Sequence, residues 1–309
     1  MLQSSSSWQP DVVLVGAGIM SATLAVVLKE LDPALNIEIL ETLGGAAEES
    51  SDAWNNAGTG HAALCELNYT PQHSDGSIDI SKALEVNVEF DLSRQLWSYL
   101  VKKGAVADPK SFIHPIPHMS FVWGAEHVAF LRKRYAALTA HHCYHGMEYS
   151  EDKQRLAEWI PLVMEGRPAQ ETGAATRMIT GADVDYGSLT RHFISYLQKL
   201  PGVAIRYFHR VTNIKREPNG RWRLEFKNTK DGGADSLTAK FVFLGAGGGA
   251  LPLLQNSEIP EGKGYGGFPV SGIWLRCDDP EVNRRHHAKV YGWPRSARRP
   301  CRCPISTRG

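Results

Sequence analysis

Cysteine is scarce in this chain and has no pattern: five residues among 309, at positions 65, 143, 277, 301 and 303, with no C-x-x-C. That excludes a disulfide-stapled framework and is the usage of a reducing cytoplasm, the compartment expected here. An excess of one charge is missing too, since 34 Lys and Arg stand against 33 Asp and Glu. With no global field, no basic stripe and no RNA-binding motif, nucleic acid is not an expected partner. Met1 to Pro10 is polar and serine-rich, without the basic start and apolar stretch of a secretory signal. The one long uncharged run, Val12 to Leu28, carries two glycines at a strand-to-helix turn, which argues against a membrane span. Any membrane contact is therefore expected to be peripheral. No internal repeat is evident, and the length allows a substantial core divided over two domains.

What is present is concentrated near the start. Val12 to Glu41 reads as a strand, the turn Gly16-Ala17-Gly18-Ile19-Met20-Ser21, an apolar helix, and a second strand, Ile37 to Leu40, closed by an acid. Two glycines let the backbone turn tightly and approach a pyrophosphate, and the helix beside them presents unpaired N–H groups and the positive end of its dipole. Glu41 stands where a carboxylate takes the adenosine ribose hydroxyls. Ser21 departs from the third glycine of the fingerprint but is small enough for helix–strand packing.

Beyond Glu41 the chain enters a breaker-rich loop, Ser50 to His61, containing Trp54-Asn55-Asn56-Ala57-Gly58-Thr59-Gly60. Ser81 to Lys103 has Leu84, Val88, Leu92, Leu96 and Leu100 at helical spacing; Ala125 to Leu138 is also helical, and Phe112 to Trp123 between them is extended. Asp183 to Thr190 is a turn feeding a helix to about Leu200. Val203 to Val211 and Trp222 to Phe226 alternate as strands, and Phe241 to Leu244 is a buried strand ending in Gly245-Ala246-Gly247-Gly248-Gly249. A glycine grip at one end and a glycine-capped strand much later suggest a dinucleotide domain interrupted by other material.

Four segments together resemble the malate:quinone oxidoreductase family: the first glycine turn, the Trp54 to His61 loop, Gly245 to Pro252, and Gly264-Tyr265-Gly266-Gly267-Phe268-Pro269-Val270-Ser271-Gly272. The likeness runs in order from about residue 10 to Gly292. It implies an α/β fold with an α+β insert: a Rossmann-like FAD-binding domain of the glutathione-reductase/D-amino-acid-oxidase type, interrupted by a substrate domain and C-terminally truncated. The expected parts are residues 1–65 and 181–275 for the FAD domain, 66–180 for the inserted substrate or cap region, and 293–309 for an aberrant, disordered tail. The family's activity would be oxidation of (S)-malate to oxaloacetate with FAD, electrons passing to membrane quinone, by an enzyme lying on the cytoplasmic face of the inner membrane. The alternatives are an inactive flavin-binding remnant or a related FAD-dependent 2-hydroxy-acid oxidoreductase. On the family pattern Gly16, Gly18, Ser21 and Glu41 would hold adenosine and pyrophosphate, Val211 would offer backbone near the adenine, and Gly245 and Gly247 would line the flavin. Asn55, Asn56 and Gly58 would lie near its isoalloxazine.

Such chemistry needs a base for the hydroxyl proton and cations for two carboxylates. His61, at the end of the glycine loop, is the first candidate base, with a loop-closing hydrogen bond as its structural alternative. Arg177 is the candidate carboxylate clamp, or else a surface arginine. His118 and Tyr186 are weaker candidates whose alternatives are core packing and turn closure. His141-His142-Cys143-Tyr144-His145 would set His141 and His145 on one helical face, but without further ligands at metal spacing no metal is expected.

From Trp293 onward five arginines, three prolines and two cysteines crowd seventeen residues, a composition that fits no packed element. An out-of-phase reading of a GC-rich gene explains it, and a basic arm attracted to anionic lipid is the other reading.

Overall fold

The structure, a computed structural model, describes residues 9–268 and 275–293. Of the expected disordered tail, residues 293–309, Trp293 is described and is packed instead, its ring 5.5 Å from His127 and 4.8 Å from Phe130; residues 294–309 and Pro269 to Gly272 of the tyrosine-glycine segment lie outside the described residues. In chain order the elements are β1 (Val12–Val15), α1 (Ile19–Leu31), β2 (Ile37–Leu40), α2 (Ser81–Lys102), β3 (Ile113–Pro115), β4 (His118–Trp123), α3 (Ala125–Thr139) and β5 (Glu148–Ser150). There follow α4 (Lys153–Trp159), α5 (Pro161–Met164), β6 (Gly173–Met178), β7 (Ala182–Val184), α6 (Tyr186–Leu197), β8 (Val203–Arg206) and β9 (His209–Arg216). The last are β10 (Trp222–Asn228), β11 (Ala234–Ala239), β12 (Phe241–Leu244), α7 (Ala250–Asn256), α8 (Pro280–Arg284) and β13 (Lys289–Gly292). They group into two units, one of residues 9–56, 103–112 and 185–268, the other of residues 57–102, 113–184 and 275–293.

The first unit is built on a parallel sheet in the order β12-β1-β2-β8. β1 and β2 are buried at every residue, as short apolar runs must be when both faces of a parallel sheet are covered. α1 provides the crossover between them. Its end is fixed by Lys29, whose buried ammonium donates to the carbonyls of Pro33, Leu35 and Pro201. On one face, Val13, Val15 and Leu40 pack against Val211, Ile214, Leu224 and Phe226 of an antiparallel meander, β9-β10-β11, and against Leu253 of α7. Alternation along β10 turns Leu224 and Phe226 inward, and a register shift between Glu225 and Phe226, which leaves one extra residue in β9, brings both Val211 and Ile214 to the same face; each side chain is worth about 1.5–3 kcal/mol when fully buried. The single strand expected over Val203 to Val211 is two. Phe208 takes the left-handed conformation (φ 63°), and this corner turns the chain from the parallel sheet into the meander.

The second unit holds a sheet in the order β13-β4-β6-β5, with β13 parallel to β4 and the other pairs antiparallel, and a short β3–β7 pair. One face carries Val122 and Ala174 against Leu67 and the α3 residues Val128, Phe130 and Leu131. The other packs Met119, Phe121, Ala175 and Val290 against Leu156 and Ile160. α2 forms where expected, yet its buried face is Ala83, Val86, Phe90, Trp97 and Leu100, while Val88 and Leu92 face solvent. Of the apolar row, Leu100 lies on the buried face and Leu84 and Leu96 are half-buried, while Phe90 and Trp97, in edge-to-face contact at 6.0 Å, fill the middle of that face with more area than Val88 and Leu92 could offer. Among the described residues no helix is long and apolar enough to cross a membrane.

Candidate functional site

The two glycine corners meet. β12 lies beside β1 with Leu244 opposite Val15, so the chain leaves both strands at the same sheet edge, Gly16 on one and Gly245 on the other. A Cβ on Gly16 would stand 2.6 Å from the Gly245 carbonyl oxygen, and Gly16 has φ +94°, so only glycine fits there. These corners border a cleft of about 740 Å³, inside the roughly 300–1,000 Å³ usual for cofactor sites. Gly18, Glu41, Ser51, Asn56, Tyr186 and Gly247 are among its walls.

At one end of the cleft, α1 begins behind Gly18 with no side-chain cap from that residue and no acid in its first turn. Its positive end is left for a ligand with negative charge. The Ile19 N–H donates to Ser51 Oγ at 3.0 Å, a contact from the distant loop that local sequence did not announce. Glu41, at the end of β2, accepts from Ala17 N–H at 2.6 Å and Leu43 N–H at 2.8 Å, which brings its carboxylate to the rim of the glycine turn. Glu49 also lines the cleft, and hydrogen bonds from the Ser50 hydroxyl and N–H hold its carboxyl below the usual range.

Ser21 is not at the wall. Its hydroxyl is buried between helix and strand without a hydrogen-bond partner, and a Cβ on Gly245 would come within 2.1 Å of it. The room that a third fingerprint glycine normally leaves on the helix is thus left on the neighbouring strand. Val211 is a core residue of β9, packed with Val13 and Val15. In the loop, the Asn55 amide donates to Glu49 O, and that of Asn56 to Ser50 O and Asp52 O, fastening both to this unit.

The remaining candidates belong to the second unit, which the chain enters after Asn56. Gly58 has φ 59°, and its carbonyl accepts from Val184 N–H at 2.6 Å. Lys289, fully buried, holds the same loop by donating to Ala57 O, with its ammonium 2.5 Å from Asp183. His61 is 41% exposed, with Nδ1 2.6 Å from a carboxylate oxygen of Glu66, which is 2% exposed. His118 is fully buried, its Nε2–H donating to Ala182 O at 3.0 Å, and burial pushes its pKa down to about 4. It is a neutral core histidine. Arg177 sits opposite Glu148 across β5 and β6, paired at 3.1 Å, with Trp159 5.5 Å below its guanidinium.

The helix expected to align His141 with His145 ends earlier, at Thr139, and His142–Tyr144 form a 3₁₀ turn. The turn gathers instead His141, His142 and Cys143, whose ligand atoms lie within 4.8 Å of one another. The group is partly exposed and offers three ligands, short of a closed tetrahedral site.

The model of the malate:quinone oxidoreductase (Mqo) family matches residues 8–308. The chain belongs to this family. A probable malate:quinone oxidoreductase of Bradyrhizobium diazoefficiens is 66% identical over 291 residues, covering 94% of this chain and 57% of that relative. The chain thus spans less than two thirds of the length of such a relative. Among solved structures, glycine oxidase from Geobacillus kaustophilus matches with a TM-score of 0.56 at 18% identity, over 81% of this chain and 58% of that one. L-α-glycerophosphate oxidase from Mycoplasma pneumoniae with FAD bound matches with a TM-score of 0.50 at 14% identity, over 76% and 53%. These likenesses establish the fold of this chain as the α/β architecture expected, with a parallel sheet and an antiparallel meander.

Proposed function

We propose that this chain binds FAD in the cleft of the first unit and oxidises (S)-malate to oxaloacetate, with electrons passed on to membrane quinone. The observation that carries the reading is the meeting of Gly16 and Gly245 at one sheet edge, in a chain of this family. FAD suits the residues there: Gly16 and Gly245 let two backbone corners meet at the border of the cleft, α1 brings the positive end of its dipole to it with no acid in the first turn, and the Glu41 carboxylate can accept from ribose hydroxyls. When bound, FAD supplies the acceptor for the hydride from the malate carbinol carbon. The chain's own tasks are to hold the cofactor, seat two carboxylates and take the hydroxyl proton.

His61 is our candidate for the last task, because its ring has one edge against a buried carboxylate and the other open. Arg177 and His118 are weaker in their roles: the first already has a carboxylate partner, and the second has no exposed surface. We read the first unit as the cofactor domain and the second as the substrate domain, working beside the cytoplasmic face of a membrane as a peripheral enzyme.

The test is direct. Purified chain should show a flavin absorbance spectrum that bleaches with malate under anaerobic conditions, and less with 2-hydroxyglutarate or glycerol 3-phosphate. Glu41→Ala should weaken FAD binding roughly 10- to 150-fold, the equivalent of a charged hydrogen bond of about 1.5–3 kcal/mol. A colourless product overturns the cofactor assignment, and a yellow one that malate leaves oxidised overturns the activity.

A further inference from the structure

Glu66 is a carboxylate where carboxylates are rarely found, 2% exposed, and it is held there from several sides. Its own carbonyl and that of Ala63 accept from the guanidinium of Arg134, at 3.4 and 3.3 Å. Arg134 is itself fully buried, and its Nε is fastened to Thr70 Oγ1 at 2.9 Å. Asn87 of α2 donates to Ala62 O, and Ala63 takes a left-handed conformation (φ 54°). The backbone from Ala62 to Glu66 is therefore clamped by two helices, and the carboxylate has little freedom to follow a moving partner.

That partner is His61. Nδ1 is shielded from solvent against Glu66 Oε1, whereas the ring as a whole keeps 41% of its surface, so the open side is the edge that carries Nε2. Burial pushes the Glu66 carboxyl up, but the contact with the His61 ring outweighs it and leaves the group below the ordinary carboxylate value. A carboxylate oxygen 2.6 Å from Nδ1 favours the tautomer with the proton on that nitrogen, which leaves the Nε2 lone pair outward.

We propose that Glu66 is a positioning residue: it fixes His61 in the Nδ1–H tautomer and in one orientation, so that Nε2 is the atom that takes the malate hydroxyl proton. This rests on the reading of His61 as the base. As the hydride leaves the carbinol carbon, the hydroxyl proton passes to Nε2, and the resulting imidazolium, with a proton on each nitrogen, is balanced by the buried carboxylate. A pair serving only the fold would need neither a fixed tautomer nor an open Nε2.

The experiment is histidine side-chain ¹⁵N NMR on the FAD-loaded chain, followed by flavin reduction with malate. Wild type should show His61 protonated on Nδ1 and bare on Nε2 when neutral. Glu66→Leu, which removes the acceptor, should move the proton to Nε2 and slow flavin reduction at least about tenfold. Glu66→Gln, which keeps an acceptor oxygen, should retain the tautomer and recover part of the rate. A wild-type His61 carrying its proton on Nε2 overturns the proposal, and this arm stands even if the leucine variant does not fold. An unchanged tautomer in Glu66→Leu overturns it equally. His61→Gln separates the two readings: a full rate there removes His61 as base, whereas loss there with no effect of Glu66→Leu removes only the role of Glu66.

Discussion

Ser21 and Gly245 form a steric pair that a double-mutant cycle can expose. Gly245→Ala adds a methyl group 2.1 Å from Ser21 Oγ, 3.0 Å from Phe243 Cε1 and 3.2 Å from Val15 O. The first distance is impossible, while the others ask only for shifts of a few tenths of an ångström. Overpacking of this kind costs about 1–3 kcal/mol. Ser21→Ala removes the obstructing atom, and because that hydroxyl is buried without a partner among the described residues, its loss alone should be neutral or stabilising by about 1 kcal/mol. The double variant should therefore regain most of what Gly245→Ala loses, an interaction term of about 1–2 kcal/mol. Urea denaturation followed by circular dichroism gives the stabilities, and flavin fluorescence gives the FAD affinity for the same four proteins. Gly16→Ala is the control that no side chain can rescue, since the atom it meets is a backbone oxygen and its φ is positive. A Gly245→Ala variant as stable as wild type, or one that Ser21→Ala leaves unrepaired, would refute the argument that the missing fingerprint glycine is compensated across the sheet.

Two further outcomes follow from buried polar groups. His118 titrates at about 4 in the fold and near 6.5 when unfolded, so the unfolded chain binds the extra proton between those values. Its contribution is complete above about pH 6.5 and is lost as the pH falls towards 4, by up to about 3 kcal/mol; His118→Asn should show a shallower acid loss in urea midpoints at pH 7.5 and 5, and parallel curves would contradict this. Lys29→Met should destabilise by about 3–5 kcal/mol, because three inward carbonyls at 2.5–3.0 Å lose one charged donor. A loss below about 1 kcal/mol in the same urea assay would show that water replaces the ammonium.

Local pattern carried much of the architecture. β1, α1 and β2 follow from apolar runs on either side of two glycines, and the meander strands announce themselves by alternation, because strand and helix periodicities are set by neighbouring residues. What failed were choices among nearby surfaces. The apolar row of α2 marked the helix, but only its Leu100 end is fully buried; Val88 and Leu92 in its middle face solvent, and Phe90 and Trp97 take that place. The break at Phe208 has no glycine or proline to mark it, since the strain of its left-handed backbone is accepted for the sake of starting a second sheet.

The site divides in the same way. Gly16, Gly18 and Glu41 were legible because a tight turn, a helix start and a strand end each leave a local signature. Ser51 on the Ile19 N–H, Glu66 against His61, and Lys289 beneath the Ala57 carbonyl were not, because each joins residues whose spacing along the chain has no period. The amino-acid order alone determined a glycine turn between a buried strand and a helix, closed by an acid one strand later, and the family to which the chain belongs. Only the tertiary structure decided that Gly245 makes room for Ser21, that His118 is a neutral core group, and that His61 leans on a buried acid. The reason is physical: propensity acts over a few residues, whereas exclusion of volume and burial of charge are settled by whatever the folded chain brings alongside.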